Sequence, residues 1–549
     1  MIKPSYVAAF TFEQRGDRWQ LIRMTTASLP LASYTHQKLP EHFLTVPVTL
    51  SLHDEVTDEP VYARIHVSDE AGEYWPPRGH QKYISPLTIR IGEDVGGDVS
   101  LGGKLYAYVP PTFTVDLAPG RYRIELAKGP EYQPTSRSIV VTHQAQKVSI
   151  KIKRWANMAA QQWYSADTHV HSYTPRSALL EMQAEDLNLV NILSTKWGER
   201  ITHFKDIIGK PDPVSLPNKI VYINEEIRHG FLGHVITHSL KKPVFPLSWG
   251  GPGEGVPGGT DYPTIAHQAG KVRAQGGLVS WAHFPYPGGE LAINVALGTI
   301  DSIDLFTWGN PFAGGKGSFN PVNYWYTLLN TGFRLPVTAG TDKMYYTQRL
   351  GSARTYAYTG QPSFRYEDWL TALRKGRTFV TTGPLISLTA NGHDIGAALN
   401  LERGEEVVLK AELRAPHKQY PWDRFDIIQN GEVIATRNNT GKADTINLSV
   451  RVRPNESTWF AARVYADQTT PLLKSSGMNR LPAMAHTSPI YIDIPGSARW
   501  SEAGAALLAE QCEKAIQWAK TSAHYHNAAQ RREVIDLFQQ AKKTYSSRE

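Results

Sequence analysis

Between roughly Trp163 and Pro384 apolar runs of four to six residues recur, separated by helical or Gly-rich segments. Runs of that length suit buried parallel strands, because a strand covered on both faces reads as a nearly continuous hydrophobic stretch. Side chains that titrate or bind metal gather at their ends. "YSADTHVHSYTP" (Tyr164 to Pro175) carries Asp167, His169 and His171, and "KIVYINEEI" carries Glu225 and Glu226 after Ile220 to Ile223. "GGLVSWAHFPYPGG" carries His283 after Leu278 to Trp281, and "FRLPVTAGTD" carries Asp342 after Leu335 to Ala339. In a β/α barrel the strand C-termini open onto one face, so this placement predicts a single shared site. His234, in "GHVITHSL", begins a further run and is expected to join it.

With 19 His in 549 residues, a bare His-x-His is expected about 0.7 times by chance, so the motif counts only through its context. In a strand, residues two apart share a face, which aims the imidazoles of His169 and His171 at one point. Asp167, on that face, is either a ligand or the group that holds an imidazole tautomer. Imidazoles and carboxylates without thiolates suit Zn(II), Mn(II) or Fe(II), and five or six of them are enough for two ions sharing a carboxylate. The expected cofactor is two divalent metal ions per chain.

The flanks have a different texture. From about Phe43 to Ile152, Val61, Ala63, Ile65 and Val67 alternate, as do Tyr122, Ile124 and Leu126, which is a β-sandwich pattern. From Leu385 to about Ile494 the strands return, and Asn430-Gly431 in "IIQNGEVI" supplies the two positive φ angles of a type I′ turn. Beyond Ser501, Leu508, Cys512, Ala515, Ile516 and Ala519, then Val534, Ile535, Leu537 and Phe538, fall at helical spacing. The predicted order is an N-terminal β-sandwich at 1–160, a β/α barrel at 161–384, a C-terminal β-domain at 385–497 and a helical tail at 498–549. "WGGPGEGVPGGTDYP" (Trp249 to Pro263) has the length of a lid or rim.

Hydrophobic content of 41% with 20% charged residues describes a packed globular chain. The net charge of +7 is spread over scattered Lys and Arg, which excludes a nucleic-acid footprint. The single cysteine, Cys512, excludes an internal disulfide and any Cys-based zinc site. No stretch approaches about eighteen uninterrupted apolar residues, and the N-terminus lacks the apolar core of a signal peptide. A soluble chain without a membrane span is expected; a periplasmic location would require that an export signal had been removed.

The chain from roughly Trp163 to Ile494 resembles the PHP superfamily of metallohydrolases, and within it the CehA/McbA family named for the carbaryl hydrolases. The resemblance rests on "WYSADTHVH", "AEDLNLV", "NEEI" followed by "GHV", "WAHFPYPGG", "AGTD", "GSARTYAY", "ALRKGRTFVTTGPLISL" and "AMAHTSPIYI", in that order. It implies a PHP-like distorted β/α barrel, with metal ligation by His169, His171, Glu226, His234, His283 and Asp342. Many PHP enzymes hold a third ion through an Asp-His pair after the second strand and an Asp-x-His in the last motif. Those places read "STKWG" and "GTDKM" here, and Lys196, Trp197 and Met344 cannot ligate in the same way. That departure favours the ester and carbamate hydrolases of the family over its phosphatases.

The expected activity is metal-dependent hydrolysis of an ester, carbamate or amide bond in an apolar or aromatic small molecule. Phosphoester hydrolysis is the runner-up, and a non-catalytic protein that binds a ligand or polymer through a degenerate barrel is the reading from another class. Lys196, His229 and Lys343 are catalytic candidates for stabilising an oxyanion or protonating a leaving group, on position alone. Trp197, Trp281 and Trp308 fall near the expected rim. Glu185 and Asp186 read as a helix face, His486 as a buttress between barrel and β-domain, Arg354 and Arg377 as structural, and Cys512 as helix packing. The sandwich is expected to shape the entrance or to mediate homo-oligomerisation.

Overall fold

Every second residue from Val48 to Leu52 in the strand Val46–Asp54 is apolar and buried, the signature of a strand with one covered face. In the computed structural model, which describes residues 9–15, 18–25, 45–84, 94–197, 200–251, 254–256, 258–307, 310–312, 320–440, 443–466 and 481–546, this strand pairs with Gln146–Ile152 and Thr112–Leu117. A second sheet runs Asp98–Leu101, Lys104–Val109, Ala63–Asp69, Gly120–Ala127, Thr135–Val141. The two share a core that includes Leu50, Ile65, Val115 and Ile124. Ala9–Arg15 and Arg18–Thr25 form a separate antiparallel hairpin.

The apolar runs of the middle segment join a 16-stranded sheet. One limb is ordered Val337–Ala339, Ser302–Phe306, Leu278–Trp281, Gly233–His238, Ile220–His229, Leu189–Ser194, Trp163–Val170. This limb curls into a half-barrel. Asp342 N donates to His169 O at 2.7 Å, Thr168 Oγ1 donates to Ala339 O at 3.0 Å, and Val170 bridges to Lys343. Those contacts return the Val337–Ala339 edge to the Trp163–Val170 strand. The chain is thus a mixed α/β protein, richer in strand than in helix.

The all-parallel expectation needs correcting. Gly233–His238 runs antiparallel to both neighbours, Ile220–His229 and Leu278–Trp281. His234 therefore joins the site from the start of its strand, because a reversed strand places its beginning beside the ends of the others. Nor do Glu225 and Glu226 follow their strand: both lie inside Ile220–His229.

Five helices, α1 (Pro175–Ala184), α2 (Ile265–Ala274), α3 (Leu291–Ala296), α4 (Pro321–Asn330) and α5 (Tyr366–Arg374), fall among these strands in the sequence. Two more, α6 (Glu502–Thr521) and α7 (Ala528–Lys543), bury Leu508, Cys512, Ala515, Ile516 and Ala519, and Val534, Phe538 and Ala541. They are tied to the half-barrel by polar contacts. Asp261 accepts from His524 N at 2.7 Å, and Tyr545 OH donates to Ala292 O. No described helix is long and apolar enough to cross a membrane.

Hydrogen bonding also runs unbroken across residue 384. Thr378–Thr381 pairs with Met484–Thr487, which leads to Thr458–Tyr465, Arg424–Gln429 and Glu432–Asn438. A four-stranded sheet built on Leu385–Ala390 and Val407–Arg414 shares with that limb a core containing Leu388, Leu409, Phe425 and Phe460. Asn430 and Gly431 adopt φ of 51° and 95° between the last two strands, as a type I′ turn requires.

A buried ionic joint links the N-terminal sheets to the half-barrel. Glu185 receives the Arg64 guanidinium, Arg349 at 3.0 Å and Tyr108 OH at 3.1 Å, while Asp186 pairs with Arg154 at 2.9 Å. Burial pushes the Glu185 carboxyl up, but the surrounding arginines outweigh it and hold the group below its ordinary value.

Candidate metal centre

His169 and His171 are 0% and 1% exposed, at the end of a strand that buries every residue after Trp163. The "AGTD" segment lies against them because Gly340 has no side chain: a Cβ there would stand 2.5 Å from the His169 backbone nitrogen. Asp342 and His283 both adopt left-handed backbone, with φ of 49° and 30°. Such conformations cost about 1–3 kcal/mol each in residues other than glycine and gather at functional sites.

The six expected ligands come together as two buried groups, His169 with His171 and Asp342, and Glu226 with His234 and His283. In the first, the Nε2 atoms of the two imidazoles are 3.2 Å apart and each lies 3.3 Å from Asp342 Oδ1. In the second, His234 Nδ1 is 3.1 Å from His283 Nε2, and both are 3.3 Å from Glu226 Oε1. Ligand atoms about 2.0–2.1 Å from a tetrahedral Zn(II) are about 3.3–3.4 Å from one another. The spacings therefore fit first-row divalent ions. Glu226 also reaches the first group, with Oε2 3.2 Å from His171 Nε2 and Oε1 3.7 Å from His169 Nε2.

The tautomers follow from the outer partners. His171 Nδ1 lies 3.2 Å from Leu193 O and His283 Nδ1 meets Tyr286 O. A carbonyl only accepts, so the proton sits on Nδ1 and the Nε2 lone pair faces inward. His169 Nδ1 faces Asp304 Oδ2 at 3.3 Å with the same result. His234 is turned the other way, with Nδ1 inward and Nε2 3.3 Å from Glu254 but without a hydrogen-bond partner among the described residues, so its tautomer is not fixed in this way.

Electrostatics favour positive charge at this point. Burial alone would lower the His169 pKa, but Asp342, Asp304 and Glu226 overcome it and hold the group well above its ordinary value. For Glu226 burial works upward, and Arg228 with three imidazoles pulls the carboxyl well below its usual range.

Other expected residues find different places. Neighbours in a strand face opposite sides, so Glu226 turns into the centre while Glu225 turns to Val244 N at 3.0 Å, with burial pushing its pKa up to about 8. Asp167 is a clamp, not a ligand: it accepts from Thr341 N, Thr341 Oγ1 and Gly351 N at 2.7–2.9 Å. Two of the catalytic candidates are corrected by geometry. Lys343 is fully buried and directs its ammonium away from the ligands, to Gln348 O at 2.7 Å and Glu181 at 3.5 Å. His229 accepts from Phe231 N and Leu232 N on Nδ1 and faces Asp261 at 3.0 Å with Nε2, which leaves no ring nitrogen for a substrate.

Lys196 lies half-buried beside Trp197, whose ring packs edge-on to His171 at 5.0 Å. Trp281 is core, with its indole N–H on Pro287 O; Trp308 lies outside the described residues. His486 bridges Tyr326 OH and Thr487 O, as a buttress. Arg354 is buried against Gly351 O and Glu185 O, Arg377 is exposed and Cys512 is buried in α6.

Three residues at the centre were not singled out from sequence. Asp304 sits within the strand Ser302–Phe306, Glu254 comes from the Gly/Pro rim, and Arg228 places its guanidinium 3.4 Å from Glu226, 2.7 Å from Glu254 and over the Trp197 ring. The signal for Arg228 was its spacing of two from Glu226 in one strand.

No family model matches the chain, and no curated protein matches it. Among solved structures a pilus-presented adhesin is similar over 20% of this chain and 27% of its own, at 9% identity and a TM-score of 0.11. The match spans about a quarter of the adhesin, and a likeness that slight carries no argument about fold or function.

Proposed function

We propose that the chain is a metal-dependent hydrolase of the kind its sequence resembles, the carbaryl hydrolase-like branch of the PHP superfamily, and that it cleaves an ester, carbamate or amide bond in a small apolar molecule. One observation carries the reading: the Glu226 carboxylate approaches imidazoles of both ligand groups, so one side chain serves two cation positions. When bound there, divalent ions supply Lewis acidity, acidifying water toward neutral pH and polarising a substrate oxygen.

The chain's own residues prepare the ground for that chemistry. Leu193 O, Tyr286 O and Asp304 keep the Nδ1 protons of His171, His283 and His169 in place, so three Nε2 lone pairs stay turned inward. Burial of all six ligands excludes bulk water and strengthens each charge interaction. Arg228 stands where negative charge would develop, and its Nε is buried without a hydrogen-bond partner among the described residues. That guanidinium also favours a second reading, phosphoester hydrolysis, since its planar fork matches phosphoryl oxygens.

Elemental analysis of the purified chain, beside turnover of an aryl acetate, an aryl carbamate and an aryl phosphate, tests the proposal. Close to two transition ions per chain with carbonyl-ester cleavage, both lost in His169→Ala, is the expected result. A chain that binds no Zn(II) or Mn(II) and cleaves none of the three would overturn it.

A further inference from the structure

A cavity of about 610 Å³ adjoins the centre, with His283 and Asp304 in its wall. Its volume falls in the range of small-molecule sites, which are mainly apolar with a few placed polar groups. Phe284, Leu291 and Tyr324 line it from the half-barrel side, and Leu507, Gln511 and Ala515 of α6 form the opposite wall. The rings of Phe284 and Tyr324 lie 5.4 Å apart, and Tyr324 OH is bonded to Gln511, so α4 and α6 are held together at this wall. At the rim Phe231 stacks on Trp518 of α6, 4.2 Å between centroids.

Asp304 is the polar feature that the metal centre does not fully account for. Its Oδ2 takes His169 Nδ1 at 3.3 Å and Thr307 Oγ1 at 2.5 Å. Its Oδ1 is buried and has no hydrogen-bond partner among the described residues. A buried carboxylate oxygen left unpaired is costly, and a donor brought by a ligand relieves that cost. An ammonium would meet repulsion from cations held beside it, so a neutral O–H or N–H suits the position better.

We propose that this cavity receives the body of the substrate. It takes a flat apolar group carrying one hydroxyl or N–H donor directed at Asp304 Oδ1, and α6 limits how long that group can be. The proposal rests on the hydrolase reading for its connection to turnover, and its test does not depend on turnover.

The probes are 2-naphthol and 2-methoxynaphthalene, which share a ring system and differ in the donor. Both are titrated against the full chain by naphthalene fluorescence, with and without added Zn(II). Wild type is expected to hold the naphthol about tenfold more tightly, the worth of a hydrogen bond to a charged acceptor. That preference is expected to fall to about one in Asp304→Asn, whose amide no longer reserves the position for a donor. Leu507→Trp, filling the cavity from α6, is expected to weaken both probes about tenfold or more, while Lys520→Ala, exposed on the same helix outside the cavity wall, leaves them unchanged.

Equal affinity for the two probes in wild type overturns the role of Asp304. Undiminished binding in Leu507→Trp overturns the pocket. Should that variant misfold, amide exchange in α6 is read instead: 2-naphthol slows it if the proposal holds, and no change overturns it. Naphthol preference without cleavage of any ester would remove the hydrolase reading alone. Cleavage of 2-naphthyl acetate with KM unchanged in Leu507→Trp would remove the pocket alone.

Discussion

The Nε2 atoms of His169 and His171 face each other at 3.2 Å, with both Nδ1 protons directed outward to Asp304 and to the Leu193 carbonyl. Two lone pairs converging at that distance favour a cation between them. Zn(II) or Mn(II) added to chelator-treated protein is expected to raise Tm, since a ligand at a hundred times its Kd stabilises by about 2.7 kcal/mol. In His171→Ala the rise is expected to vanish. A wild-type Tm indifferent to both ions would count against the centre.

Asp167 holds the segment that carries Asp342, through both donors of Thr341. Asp167→Asn sets an amide donor against one of those donors, and each buried group so orphaned costs about 1–3 kcal/mol. The variant is expected to unfold at lower urea and to bind metal more weakly. An unchanged urea midpoint would contradict the clamp.

Arg228 is expected to matter for turnover more than for metal content. Arg228→Met should lower kcat on an aryl acetate by about 10²-fold, the scale of losing one oxyanion donor, with the ion content of the wild type. Equal loss of ions and activity would instead make the residue a support for Glu226.

Glu185 sits among Arg64, Arg349 and Tyr108 with no exposed atoms on its side chain. Breaking a buried pair leaves a charge uncompensated, so Glu185→Gln is expected to cost about 3–5 kcal/mol in denaturant unfolding. Glu125→Gln, which loses the half-exposed Lys104, should cost less than about 1 kcal/mol. Similar midpoints for the two would argue that the joint is not structural.

His486 gives a pH dependence with a definite sign. Burial lowers its pKa to about 3, and its ring is neutral, with Nδ1 donating to Thr487 O and Nε2 accepting from Tyr326 OH. Between about pH 6.5 and 3 the unfolded chain binds a proton that the folded chain refuses, so stability falls as pH falls through that window. The loss from this one group is about 1.4 kcal/mol per pH unit below 6.5. His486→Gln is expected to flatten the profile by that slope, read as urea midpoints at pH 7, 6 and 5. Parallel profiles would show that the histidine is protonated in the fold.

The six residues that gather at the centre were legible because each lies within or beside an apolar run, where a charged or imidazole side chain has little other reason to interrupt a buried strand. The choice between Glu225 and Glu226 was not, since alternation tells which two residues part company but not which side is inward. The course of Lys343 was hidden too: the left-handed backbone at Asp342 breaks any alternation, and the side chain departs to Glu181 and Gln348 O. The reversal of Gly233–His238 was hidden because its turn, His229 to Gly233, lacks the Asn-Gly signal that marked Asn430-Gly431. Asp304 was hidden inside "SIDLF", where one acidic residue in a strand has no periodic mark. The pairing of Thr378–Thr381 with Met484–Thr487 joins stretches too far apart in the chain for any local pattern to announce.

The wall that α6 contributes has a consequence for the order of synthesis. A ribosome releases the chain from its N-terminus, so all six ligands, from His169 to Asp342, emerge well before Leu507, Gln511 and Ala515. During that interval a nascent chain already holds all six residues that could take cations, while the neighbouring cavity still lacks one wall. The synthesis of those six residues and the closing of the cavity are thereby separated in time, and chains interrupted before α6 would carry the residues without the wall that Leu507, Gln511 and Ala515 supply.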